Sequence, residues 1–395
     1  MFRERQIVTT LTKPRNSWPL IPIGQDSGYN DEGGVLVNTS ADGVDLNVIW
    51  SDIQAALRAW NAERGALTNL LSFWTTDTAS AVPQAVADES FEQASEYGEP
   101  ESLRAPTSHV LLGYDFFDYD KATRFTWKFL RDATQEQILA QANIAIGADE
   151  KLVQGSILQR LFDSTAGENE WGHTVYPLFN ADAYVPPAYL GKHFTAPHNH
   201  YLVSGAAQVD SGDLELLIRE VQHHGFGVEP TSQLVLLCNP AQAELISGFR
   251  VGQNSGLDDE NPILPKHDYI PSLGSPAWLT QEQIMGTQAP AMFHRLKVLG
   301  SYGPLFVIQS DFCPEGYLAC FATSGPNSAE NVIGVRQHPK TQYQGLRQIP
   351  GLVNDYPLQD SFFQRSFGTG VRRRGGAAVM QIKESGDYEV PVIPK

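Results

Sequence analysis

From Asp132 to Phe162, apolar side chains recur at helical spacing over many more turns than an average helix contains. Ile138, Ala142, Ala145, Leu152, Ile157 and Leu161 approximate one stripe, and Ile146, Val153, Leu158 and Phe162 widen it on one side. With a rise of ~1.5 Å per residue, a helix over 134–162 spans roughly 43 Å. Asp132 followed by Gln135 reads as a capping box, and Gly167 lies past the end as a stop. Gly147 and Gly155 each weaken such a helix by ~1 kcal/mol relative to alanine, so they mark a bend or close packing.

The segment that feeds this helix, Asp77 to Asp120, has ten acidic residues against one arginine, Arg104. Pro83, Gly98, Pro100 and Pro106 interrupt it. Such a composition fits a solvated loop. Its aromatic residues, among them Tyr97, Tyr114, Phe116 and Phe117, nevertheless need a surface to pack on, and the segment reads as a flap hinged on the long helix. Residues 1–49, rich in Pro, Gly, Asn and Asp, read as an extended arm. A helix is expected over Ser51–Arg64 with Gly65 as its stop, and another over Asp213–His223 with Ser211 as N-cap. SQLVLLCNPAQAELISGF reads as a buried strand, a turn at Asn239-Pro240 and a short helix. Further strands are expected at Pro304–Gln309, Tyr317–Thr323, Asn331–His338, Gly375–Ile382 and Tyr388–Ile393.

At 395 residues, 42% hydrophobic and 18% charged, the chain can bury a sizeable core. Its net charge of −17 argues against a sequence-independent grip on nucleic acid, which needs clustered Lys and Arg. Cys238, Cys313 and Cys320 lie in apolar surroundings and read as buried thiols rather than a disulfide framework. The N-terminus lacks an apolar signal core, and no run of about 18 apolar residues appears, so neither export by a signal peptide nor membrane insertion is expected.

Histidine carries the strongest hint of chemistry. His193, His198 and His200 lie close together, with His173 upstream and His223 and His224 downstream. Two histidines two apart on a strand share a face, a spacing that metal sites use, and Asp182 or Asp210 could supply a carboxylate. No HExxH or Cys-x-x-Cys accompanies them, and the reading favours hydrogen-bonded interface histidines without a metal. No nucleotide-binding loop, nucleophile elbow or calcium loop is present, and no catalytic residue, cofactor site or cofactor is expected. FGTGVRRRGG, with two glycines before an arginine run, reads as a turn ahead of a terminal strand.

FEQASEYGEPESLR, GYDFFDYDKATRFTWKFL, the helix that follows, LVLLCNPAQAELISGF and GVRRRGGAAVMQI together resemble the major capsid proteins of tailed bacteriophages, the Hong Kong 97-like fold. The resemblance covers most of the chain, though loops 167–197 and 251–295 match no pattern. It implies an α+β fold. Residues 1–76 would be an N-terminal arm with a short helix and 77–128 the E-loop. The peripheral domain, with its spine helix, would take 129–230 and 346–395, and the axial domain 231–345. It also implies a non-enzymatic subunit that self-assembles as hexamers and pentamers into an icosahedral shell around double-stranded DNA, contacted non-specifically. The localisation implied is the virion, after assembly in the host cytoplasm.

Two alternatives stand beside this reading: an encapsulin-type nanocompartment shell, which shares the fold, and a soluble metalloenzyme built on His193, His198 and His200. Charge pattern further suggests that the acidic flap lies on a neighbour's basic surface, with Arg336, Arg347 and Arg372–Arg374 as candidates. Some members of the family join neighbours through a lysine on the flap. Here no lysine lies between Asp77 and Asp120, and Lys121 and Lys128 sit at its base, so a non-covalent shell is expected. Little sequence precedes the flap, which suggests a separate scaffolding protein, a portal as a further partner, and no cleavage of this subunit.

Overall fold

A computed structural model describes residues 39–63, 65–83, 93, 98, 109–190, 192–274, 288–350 and 358–395. Most of the expected arm, and the flap over 84–108 apart from Gln93 and Gly98, lie outside the described residues.

The chain enters through helix α1 (Leu46–Ala62), which starts upstream of the expected Ser51 because Asp45 caps it, accepting from Asn47 N. Gly65, expected as a stop, instead opens a second short helix, α2 (Ala66–Leu71). Strands β1 (Ser72–Thr75), β2 (Ala79–Pro83), β3 (His109–Gly113) and β4 (Phe117–Thr126) follow. A six-residue helix, α3 (Trp127–Asp132), uses up Asp132, so the capping box of the long helix α4 (Gln135–Phe162) moves to Thr134 and Gln137. Gln137 Oε1 accepts from Thr134 N at 3.0 Å. The 28 residues of α4 give ~42 Å, close to the expected length.

Beyond α4 lie the two-residue strands β5 (Gly167–Glu168) and β6 (Thr174–Val175), then β7 (Tyr201–Val203) and α5 (Ser211–Gln222). Asp210 rather than Ser211 caps α5, in a reciprocal box with Asp213. Next come β8 (Gln233–Cys238), α6 (Pro240–Ser247) with Asn239 as its cap, and β9 (Tyr269–Pro271). The strands β10 (Met292–Phe293), β11 (Leu296–Lys297), β12 (Gly300–Tyr302), β13 (Leu305–Gln309) and β14 (Tyr317–Thr323) form a run of short hairpins and longer core strands. The chain closes through β15 (Ile333–Gln337), β16 (Arg347–Pro350), β17 (Leu358–Val371) and β18 (Ala377–Gln381). Tyr388–Ile393 is not a strand: among the described residues no sheet edge pairs with it, and Tyr388 Oη instead donates to Phe162 O at 2.8 Å.

Two sheets organise these elements. The larger has seven strands in the order β7-β18-β14-β8-β13-β12-β9. Its central strands alternate between two cores. Val235, Leu237, Ala319, Phe321, Ala377 and Val379 face α2 and the C-terminal half of α4. Leu234, Leu236, Leu318, Cys320, Ala378 and Met380 face α5 and α6. Because helices cover both faces, these strands read in sequence as continuous apolar runs, not as alternation. Cys238, Cys313 and Cys320 are buried free thiols here.

The second sheet is built on β17, with β15 and β16 along one edge, β1 beyond β15, and β4 pairing with β17 over Phe117–Thr126. The sheets do not follow the expected domain ranges strictly. β7 and β18, from ranges assigned to the peripheral unit, lie in the large sheet, whereas β15, from the axial range, joins β1 and β17. The reason is burial. Ala377–Gln381 is buried on both sides, which only a strand inside the helix-covered sheet can achieve.

The long helix changes environment along its length. Ile138, Ala142 and Ala145 meet Ile49, Ile53 and Leu57 of α1, while Val153, Ile157, Leu158, Leu161 and Phe162 enter the main core. Gly155 marks close packing, as expected, since a Cβ there would collide with Pro394 O. No helix of the described residues is long and apolar enough to cross a membrane.

Candidate functional site

The flap is rooted by one asparagine and one ion pair. Its two strands β2 and β3 pair antiparallel, Ala79 opposite Gly113. Asn169, buried, donates from Nδ2 to Thr78 O at 3.0 Å on the outgoing strand and to Tyr114 O at 3.1 Å on the returning one. Tyr114 is fully buried and its hydroxyl meets Ser80 Oγ at 2.8 Å. Burial holds its phenol above the usual range. Asp115 pairs with Arg160 of α4 and accepts from Thr369 N, so the returning strand is tied to helix and sheet alike.

Glycines in FGTGV make this docking possible. A Cβ on Gly368 or Gly370 would collide with Asp115 O or Gly113 O, so the flap root lies directly on β17. The expected turn at this motif is therefore a strand, and the turn comes later, between Val371 and Ala377. Beyond the root, β4 runs ten residues along β17 with no residue buried, and among the described residues no strand pairs with its outer edge. Asp118, Asp120, Lys121 and Arg124 on this strand are the charges by which an open edge resists indiscriminate pairing.

The arginines expected to receive the flap are mostly engaged within the chain. Arg336 is buried against Glu170 at 2.6 Å, Arg373 pairs with Glu330 at 2.7 Å, and Arg374 is buried against Asp182 at 2.5 Å. Among the described residues only Arg347 and Arg372 of the set have no carboxylate partner; they lie over Tyr343 and Phe73. The arginine run thus serves to hold its own subunit together. A further buried pair carries no signal in the sequence: Arg365 of β17 donates to Asp149 Oδ2 at 3.1 Å, and Trp60 Nε1 donates to the same oxygen at 2.8 Å. Burial raises the Asp149 carboxyl, and Arg365 and Trp60 pull it back.

The histidines divide. His193 is exposed and His173 lies by β6, away from the rest, whereas His198, His200, His223 and His224 bring their ring nitrogens together. Neither Asp182, engaged with Arg374, nor Asp210, capping α5, joins them. His198 and His200 arrive on the segment leading into β7, and His223, the C-cap of α5, and His224 follow its last turn, positioned by Gly225 at φ 88°. Burial pushes His200 down to about 3 and His223 down to about 4, and lowers His198 and His224 as well. The rings are neutral at pH 7 and expose lone pairs. Nearness in sequence identified the first two; the second two meet them only through the docking of α5 on the sheet.

No protein-family model and no curated protein matches the chain. Among solved structures, one from Mycobacterium phage Patience shares 36% identity, covers 92% of this chain and 97% of that one, and superposes with a TM-score of 0.69. The holo-SrpI encapsulin complex from Synechococcus elongatus PCC 7942 (12% identity, 85% of this chain, 97% of that one, TM-score 0.41) is more distant. So is the capsid of an empty GTA particle (13%, 81%, 92% and 0.44), and neither likeness is close enough to speak to function. With a mixed α+β architecture, a 28-residue helix beside a rooted flap and the likeness to the Patience protein over nearly its whole length, the chain belongs to the major capsid proteins of tailed bacteriophages, shell-forming structural subunits and not enzymes.

Proposed function

We propose that this subunit has the Hong Kong 97-like fold and tiles as hexamers and pentamers into an icosahedral shell enclosing double-stranded DNA. Residues 1–76 would form the arm, 77–128 the E-loop, 129–230 and 346–395 the peripheral domain and 231–345 the axial domain, with β7 and β18 completing the sheet that the axial strands begin. The observation that carries the reading is the rooted flap. Asn169 and the Asp115–Arg160 pair fix its base on α4 and β17, so the segment beyond can reach a neighbour without loosening its own subunit. Closed shells need such heterologous contacts, in which one patch meets a different patch.

A separate scaffolding protein and a portal complete the assembly, which takes place in the host cytoplasm. Arg347 and Arg372 remain the candidates for meeting an acidic flap, each such rim pair contributing ~0–1 kcal/mol. The shell is held non-covalently, so heated particles run as a single band on a denaturing gel; a ladder of crosslinked bands counts against this. Deleting residues 84–108 tests the reading as a whole. The shortened chain keeps its unfolding midpoint but forms no particles, whereas normal particles from it would remove the flap from the mechanism.

A further inference from the structure

Four imidazoles converge on one point, and their hydrogen bonding cannot be satisfied by protons alone. Nε2 of His198, His200 and His224 form a triangle with sides of 3.0, 2.8 and 3.0 Å, and Nε2 of His223 lies 2.8 Å from that of His224. An imidazole nitrogen either carries a hydrogen and donates or carries a lone pair and accepts, never both. In a triangle of such atoms two must share the same character. Whichever tautomers are chosen, one side sets lone pair against lone pair or N–H against N–H. One corner is fixed: His200 donates from Nδ1 to Ala377 O at 2.5 Å, so its Nε2 presents a lone pair to the centre.

We propose that His198, His200, His223 and His224 form a structural binding site for a divalent transition-metal ion, zinc foremost. A cation at the centre takes all the lone pairs at once and removes the conflict. Tetrahedral zinc with bonds of about 2.0–2.1 Å separates its ligands by roughly 3.3 Å, so the three rings of the triangle withdraw by a few tenths of an ångström, while His223, in a set of nitrogens lying within 4.8 Å of one another, swings inward to complete it. The Ala377 carbonyl is the outer partner that orients a ligating histidine and fixes its tautomer. Phe194 packs at a tilt against His224 at 4.4 Å between centroids and Phe179 flanks His200 at 5.7 Å, forming an apolar wall. Glu220 Oε2, 3.6 Å from His223 Nε2, offsets the positive charge of nearby Lys192 and Arg374.

Four protein ligands leave no position for water or substrate, so the ion serves structure rather than catalysis. It ties the segment before β7 to the end of α5 and, through Ala377, to β18. Those junctions are where the segment 177–200 docks, a segment also pinned by Arg374 donating to Pro177 O at 2.9 Å.

The test uses the purified full-length protein, stripped with a chelator, saturated with zinc or cobalt(II) and desalted. The wild type retains one ion per chain by elemental analysis, and the cobalt form shows the visible bands of tetrahedral coordination. His193→Ala, outside the cluster, retains the ion. His223→Gln, the mildest change, weakens retention by more than the ~10–100-fold that loss of an outer partner costs. A wild type that retains neither metal overturns the proposal, as does a His198→Ala/His224→Ala chain that retains as much as the wild type.

Discussion

In the seven-stranded sheet every residue of β8 after Gln233 is buried, whereas along β4 none is. The sheet is covered by helices on both faces and draws its stability from two apolar cores. β4 is held by its ladder to β17 and by a few polar anchors at the flap root, and its outer edge is open among the described residues. The contrast separates two tasks within one subunit. Apolar burial holds the body together, and directional polar contacts fix the base of a limb whose outer edge is open among the described residues.

The difference can be broken most forcefully where the two regions share a charge. Arg365→Leu leaves the Asp149 carboxylate buried and unpaired and is expected to cost ~3–5 kcal/mol in denaturant unfolding. Adding Asp149→Leu should restore much of the loss; a single variant as stable as the wild type would show that the pair holds nothing. Leu236→Ala, inside the sheet, should cost ~2–5 kcal/mol. Ile144→Ala, on the face of α4 where the side chain is 66% exposed, should stay within ~0.5 kcal/mol.

Asn169→Ala sharpens the comparison from the other side. Two carbonyls lose their donor, for ~1–3 kcal/mol, but particle yield should fall far more than the unfolding midpoint. Equal losses in both would place Asn169 in the general fold instead.

A further effect is pH-dependent. Burial raises the Asp213 carboxyl to about 7, with Asp210 adding to the shift, against an unfolded value of about 4. Between those values the folded chain holds a proton that the unfolded chain has lost, so this group makes stability fall as pH rises from 4 to 7. Asp213→Asn should flatten that slope in unfolding midpoints measured across the range.

Much of the body was legible in the sequence because its signals are local. The stripe from Ile138 to Phe162, the unbroken apolar run of Tyr317–Thr323 and the Asn239-Pro240 helix start all declare themselves within a few residues. The limb was not. β17 buries Phe363, Arg365 and Phe367 at alternate positions, and the charged residue in the middle hides the period. Arg365 is tolerated only because Asp149 waits on a helix far away in sequence. The same holds for the histidines: His223 and His224 carry no strand or motif signal, and only tertiary docking brings them to His198 and His200. Tyr388–Ile393 has a strand-like composition but, among the described residues, no edge to join.

Sedimentation of the expressed full-length chain, with cryo-electron microscopy of its largest species, tests self-tiling through a rooted flap most directly. The account predicts closed shells, or hexamers and pentamers on the way to them, with each flap lying across an adjacent subunit. A compact monomer at every concentration, or particles whose flaps touch only their own subunit, would contradict it.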